Sequence, residues 1–119
     1  RRIEGSFAVA DVGGVNNVDA IPQAADELIQ LEGVSAVVVI GERDETVHLS
    51  GRSRDDRVHM GNAIDSVLSD RDNGNGGGHS RMGGGTIAPT IDPTDDGEPE
   101  SIDRDALADA LFRAMAGDV

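Results

Sequence analysis

Val34-Ser35-Ala36-Val37-Val38-Val39-Ile40 is an almost unbroken run of apolar β-formers. A strand with one wet face alternates apolar and polar residues; this run does not, so it predicts a central strand covered on both faces. Upstream, Asp19 reads as an N-cap, Pro22 is tolerated in the first turn, and Ala25, Leu28, Ile29 and Leu31 carry an apolar stripe that Gly33 closes at the C′ position, predicting a helix. Before that helix, Ser6 to Val12 has the small and β-branched content of a strand and ends in Gly13-Gly14. Downstream, Gly41-Glu42-Arg43-Asp44-Glu45 predicts a hairpin loop into a paired strand over Thr46 to Arg54. Asp55 or Asp56 then caps a second helix with Met60, Ile64, Val67 and Leu68 on one face.

Beyond that helix the chain turns to glycine: Gly74-Asn75-Gly76-Gly77-Gly78-His79-Ser80-Arg81-Met82-Gly83-Gly84-Gly85. Thr86 to Ile91 predicts a short strand, at an edge because Pro89 cannot donate to a ladder. Asp92 to Glu100, with Pro93, Pro99 and five acids, has the composition of a solvated linker. Asp103 is then an N-cap, Ile102 faces Leu107 as a hydrophobic staple, and Leu107, Leu111, Ala114 and Met115 form the stripe of a terminal helix that packs on this domain or meets a partner. The order strand, helix, β-hairpin, helix, glycine loop, strand, helix predicts a small single α/β domain, a mixed β-sheet flanked by helices. Its divisions are residues 1–91, an acidic linker over 92–101 and an amphipathic helix over 102–119.

Charge separates the solvent from the partner. The chain has 119 residues with 23 acids against 10 basic residues, a net charge of −13, and every basic residue is arginine. No lysine, small apolar residues and 2% aromatics are the composition of a protein adapted to multimolar salt, where a Debye length of about 3 Å at 1 M screens its self-repulsion. The denaturation midpoint is therefore expected to rise between 0.1 M and 2 M potassium chloride; an unchanged midpoint would remove the salt-adapted reading. From Arg52 to Arg81 five arginines balance five aspartates, so the surplus charge lies outside the window that holds the glycines. Absence of cysteine and of any long apolar run points to the cytoplasm, with no membrane span, no disulfide and no thiolate chemistry. The opening Arg1-Arg2, without an initiator Met or an apolar run behind it, reads as the start of a fragment rather than an export signal.

Gly76-Gly77-Gly78-His79 is the stretch that points to chemistry. Residues without Cβ, followed by an imidazole, suit a backbone that wraps an anion with its N–H groups, and an arginine supplies a fork matched to phosphate oxygens. The run lacks the Gly-Lys-Ser/Thr ending of a P-loop, and Gly83-x-Gly85-x-x-Ala88 runs into Pro89 where a dinucleotide-binding helix should open. A plain flexible linker over Gly74 to Gly85 is the competing reading.

Gly76-Gly77-Gly78-His79 with Gly84 five residues after the His, preceded about 25 residues upstream by Ser50-Gly51-Arg52-Ser53, resembles the DHH-associated domain. That domain is the C-terminal part of DHH-family phosphoesterases, among them RecJ-like exonucleases and small oligoribonucleases that cleave dinucleotides. The resemblance covers roughly Gly5 to Ile91. After the His the family pattern runs through Pro and two alanines to Gly, where this chain has Ser80-Arg81-Met82-Gly83, a departure that bears on packing behind the loop. The resemblance implies that Gly76, Gly77, Gly78, His79, Arg52 and Ser53 hold the phosphates and terminal nucleotide of a short single-stranded nucleic acid or dinucleotide. It implies no catalytic residue, metal or cofactor in this chain, manganese bound by an N-terminal DHH domain of the same protein, and a possible homodimer. His48, His59 and His79 have no carboxylate at ligand spacing.

Two other readings compete. One is a nucleic-acid-binding and self-association module like the C-terminal domain of alanyl-tRNA synthetase, which carries a similar glycine run; His directly after Gly-Gly-Gly favours the phosphoesterase type. The other is an α/β domain that binds a small anionic regulator. With Phe7 and Phe112 as the only aromatics, extended stacking on a single strand is poorly provided for, so a short ligand fits better than a long one.

Overall fold

The computed structural model describes residues 1–71, 73–89 and 102–118. In chain order the elements are β1 (Arg2–Glu4), β2 (Phe7–Gly14), α1 (Ala20–Leu28), β3 (Ala36–Arg43), β4 (Thr46–Ser53), α2 (Met60–Leu68), β5 (Gly74–Gly78), β6 (Met82–Ile87) and α3 (Arg104–Met115). The strands form one sheet in the order β1-β2-β3-β4-β6-β5, in which β2 and β3 run parallel and every other pair is antiparallel. The single parallel pair needs a crossover, and α1 provides it.

The run that predicts a central strand is one: Ala36 to Ile40 are each at most 1% exposed. Val37 and Val39 pack with Ala8, Ala10, Ile21 and Ala25 under α1, whereas Ala36, Val38 and Ile40 join the larger core with residues of α2 and α3. A helix layer on each face removes the need for alternation. In α3, Asp103 accepts a bond from Ala106 N at 3.0 Å, and Leu107, Leu111, Ala114 and Met115 are buried in the domain's own core. The acidic stretch Asp92 to Glu100 lies outside the described residues. Among those described, no helix is long and apolar enough to cross a membrane.

Several boundaries differ from the sequence expectation. The three-residue β1, too short to show a period, extends the sheet beyond β2. Helix α1 stops at Leu28, and Gly33, at φ +85°, turns the chain into β3 instead of closing the helix; Leu31 is correspondingly 42% exposed. The β3–β4 connection is only Asp44-Glu45, both at positive φ as a two-residue hairpin turn requires, so Glu42 and Arg43 belong to the strand. Neither Asp55 nor Asp56 caps α2. Its N-cap is His59, whose Nδ1 accepts from Asn62 N at 3.0 Å, because Asp55 is already bonded to Arg57.

The largest difference is the glycine run, which is a β-hairpin rather than a loop. Its two arms are β5 and β6, joined by His79-Ser80-Arg81. The expected strand over Thr86 to Ile91 thus begins at Met82 and ends at Ile87, before Pro89, and β5 takes the sheet edge instead.

Candidate functional site

Side chains alternate along β4, so Val47, Leu49, Gly51 and Ser53 are buried while His48, Ser50 and Arg52 face the α1 side. Register carries that second face across the sheet: Arg52 lies opposite Met82, Ser50 opposite Gly84 and His48 opposite Thr86, while Gly84 pairs with Gly77 and Thr86 with Asn75. Helix α1 packs on β3 and β4. Beyond it the face opens onto Met82, 51% exposed, and exposed Asn75. Period-two reading of Thr46 to Ser53 would have placed His48 and Ser50 beside Arg52; Met82, Asn75 and Thr86 needed the register of a hairpin that glycine composition disguises.

The glycines of the hairpin divide into two sets. A Cβ on Gly76 would lie 2.9 Å from Ile64 and Leu68, one on Gly85 2.4 Å from Leu68, and one on Gly83 3.0 Å from the Gly61 Cα, so these residues let α2 sit directly on the hairpin backbone. Gly77 is different: a Cβ there meets nothing within 4 Å, and one on Gly84 meets only the Leu49 carbonyl at 3.1 Å. Gly77 and Gly84 are cross-strand partners on the open face, with no packing neighbour above them to require their smallness.

His79 sits at the hairpin tip, exposed. Its N–H donates to the Met82 carbonyl at 2.7 Å, and its own carbonyl accepts from Gly61 N at 2.9 Å, as the Ser80 carbonyl does from Met60 N at 2.9 Å. The hairpin tip therefore satisfies the first donors of α2, and that helix end is closed to ligands. Every second residue bonds across an antiparallel ladder, so the Gly77 N–H joins that of His79 in pairing while those of Gly76 and Gly78 point to the open edge. Of the four backbone donors expected to converge, those of Gly77 and His79 are thus taken up by the ladder.

Arg52 is 12% exposed at its side chain; Nε donates to Asp26 Oδ1 at 2.7 Å and Nη1 to the Gly51 carbonyl at 2.8 Å. Ser53, next in the strand, points the opposite way. It is 4% exposed, and its hydroxyl donates to the Asp55 carbonyl and accepts from Asp55 N, both at 3.1 Å. Arg52, Gly77 and Gly84 are thus brought to one face of the sheet, with His79 at the hairpin tip, whereas Gly76 lies against α2 and Ser53 points the other way. Arg54 donates to the Val34 carbonyl at 2.9 Å and anchors the chain before β3.

The Arg57 guanidinium and backbone N–H hold the Asp55 carboxyl well below the usual carboxylate range. A depressed folded-state pKa contributes stability above about pH 4, the unfolded value, and loses it as pH falls further. Asp55→Asn is therefore expected to flatten the decline of the thermal midpoint below pH 4; an unchanged profile would show that the pair contributes nothing. Among the described residues no three His, Cys, Asp or Glu are grouped so that they could hold a metal ion.

The family model of the DHHA1 domain matches residues 4–111. An uncharacterized protein of Methanocaldococcus jannaschii is 37% identical over 79 residues, which are 66% of this chain and 15% of that protein; the chain spans only a small part of that relative's length. The crystal structure of the C-Ala domain from Aquifex aeolicus alanyl-tRNA synthetase is similar in fold, with a TM-score of 0.64 and 17% identity over 92% of this chain and 91% of that one.

Proposed function

This chain belongs to the DHHA1 domain family, and on that premise we propose that its open sheet face holds the phosphates of a short single-stranded nucleic acid or dinucleotide for a DHH-family phosphoesterase. Hydrolysis takes place at manganese ions on an N-terminal DHH domain of the same protein, and this domain presents the substrate to them. The observation that carries the reading is the Gly77–Gly84 pair: bare backbone with nothing packed above it, on the face that holds Arg52 and beside the tip that holds His79. A flat or anionic group can lie against that backbone at a distance any Cβ would forbid. Arg52 supplies a directed fork, His79 a side-chain donor, and Gly76 and Gly78 amides at the edge. Directed bonds of this kind suit a chain of net charge −13, whose overall charge does not draw in a long polyanion.

The alanyl-tRNA synthetase likeness supports a rival, a nucleic-acid-binding and self-association module on the same fold. Ligand length separates the two. In 2 M potassium chloride the chain is expected to bind a 5′-phosphorylated dinucleotide as tightly as a tRNA-sized RNA, and to cleave neither when manganese is added. Binding of the long RNA alone would favour the rival, and manganese-stimulated cleavage by the chain itself would overturn the assignment of catalysis to another domain.

A further inference from the structure

Of the groups on the open face, the Arg52 head is already engaged by an anion from within the chain. Asp26, on α1, reaches across to place Oδ1 2.7 Å from Arg52 Nε. Nε is one of the guanidinium donors through which arginine grips a phosphate, and a carboxylate offers that donor the same chemistry as a phosphate oxygen. The two partners differ in setting: the Asp26 side chain is 59% exposed, the Arg52 side chain 12%. Asp26 can therefore swing into solvent at little cost, whereas Arg52 is held by its packing and by the Gly51 carbonyl. Among the described residues the Asp26 carboxylate has no other hydrogen-bond partner, so the fold does not need it at that position. Helix α1 is otherwise fixed by Ile21 and Ala25, both fully buried.

We propose that Asp26 is a built-in competitor for the ligand phosphate: it occupies Arg52 Nε in the free domain, must leave before a phosphate can grip the fork through that donor, and so sets the affinity of the site. The proposal rests on the phosphate-holding reading above, and it adds a residue that neither the glycine run nor the Arg52 strand identifies. Masking of this kind lets product leave readily, since the carboxylate retakes the fork as the phosphate departs.

The test is a calorimetric titration of the 119-residue chain with inorganic phosphate and with a 5′-phosphorylated diadenylate. Asp26→Asn keeps shape and removes charge, and is expected to bind both about three- to tenfold tighter, the scale of a partly exposed ion pair. Asp26→Glu restores a carboxylate and should return affinity toward that of the parent chain. The Arg52 Nε–H resonance, followed by NMR, should shift on adding phosphate to the parent chain and start at a different position in Asp26→Asn. Weaker binding by Asp26→Asn would show that the carboxylate aims Arg52 rather than masks it, and would overturn the proposal. Unchanged binding by Asp26→Asn, with binding lost in Arg52→Lys, would overturn it while leaving the phosphate site standing. If neither ligand moves the Arg52 resonance in any variant, the site itself falls and the competitor with it.

Discussion

Gly61→Ala is expected to cost the domain about 3 kcal/mol and to lower its thermal midpoint by about 10 °C or more. Helix propensity argues the other way, since Ala in place of Gly gains up to about 1 kcal/mol in a helix interior. The clash is larger. A Cβ on Gly61 would stand 2.4 Å from the carbonyl carbon of Gly78, 2.5 Å from its oxygen and 2.8 Å from its nitrogen, all backbone atoms that cannot rotate away. Relief requires α2 to lift from the hairpin, which would break the bonds from Met60 N to Ser80 O and from Gly61 N to His79 O and loosen Ile64 and Leu68 over Gly76. Gly77→Ala is the matched control. With open space above it, the substitution removes a glycine from a strand and should leave stability unchanged or raise it by a few tenths to about 1 kcal/mol. Chemical denaturation of the two variants side by side decides the matter; equal losses would mean that α2 does not rest on the hairpin backbone.

How much of this was legible in the sequence depends on whether a signal was local. Val34 to Ile40 announces its burial because apolar residues without alternation have one common explanation, and the structure bears it out. Asp103 and the Leu107-Leu111 stripe were equally local. Helix α2 is legible but its cap is not: Asp55 is the better cap former by type, yet it is engaged by Arg57, and the helix begins at Met60, where the hairpin tip meets its first N–H groups and His59 caps it. The hairpin was hidden for a deeper reason. Glycine is depleted in strands, so seven glycines in the twelve residues from Gly74 to Gly85 read as a loop; what makes them strands is a helix pressed onto their backbone, a contact between segments that no local pattern records. The DHH-associated resemblance, carried by Gly76 to His79 and Ser50 to Ser53, is borne out by the family match, yet it could not say that Arg52 and Ser53 face opposite sides of the sheet. Nor could it point to Asp26, which is 26 residues from Arg52 and meets it only through the α1 crossover.

Arg52→Lys, His79→Ala and Gly77→Val are each expected to weaken binding of a 5′-phosphorylated dinucleotide by about 1 to 3 kcal/mol, for three separate reasons. Lysine keeps the charge of Arg52 but not the planar fork, so any loss measures directed hydrogen bonding rather than attraction. Alanine at position 79 removes a side-chain donor to a charged group and leaves the hairpin intact, because the residue's structural bonds to Met82 and Gly61 are made by its backbone. Valine at position 77 touches no donor at all; it raises a branched side chain from bare backbone on the open face and denies a ligand its closest approach. Arg113→Lys, an exposed residue of α3, is the control and should change little. Measured in 2 M salt, where nonspecific attraction is screened, only directed contacts register. Position 77 is the most discriminating of the three: a basic surface patch would lose affinity with Arg52 and be indifferent to Gly77, whereas a ligand lying on the hairpin backbone must respond to both. If Gly77→Val binds like the parent chain, the ligand does not lie on that face, whatever Arg52→Lys does.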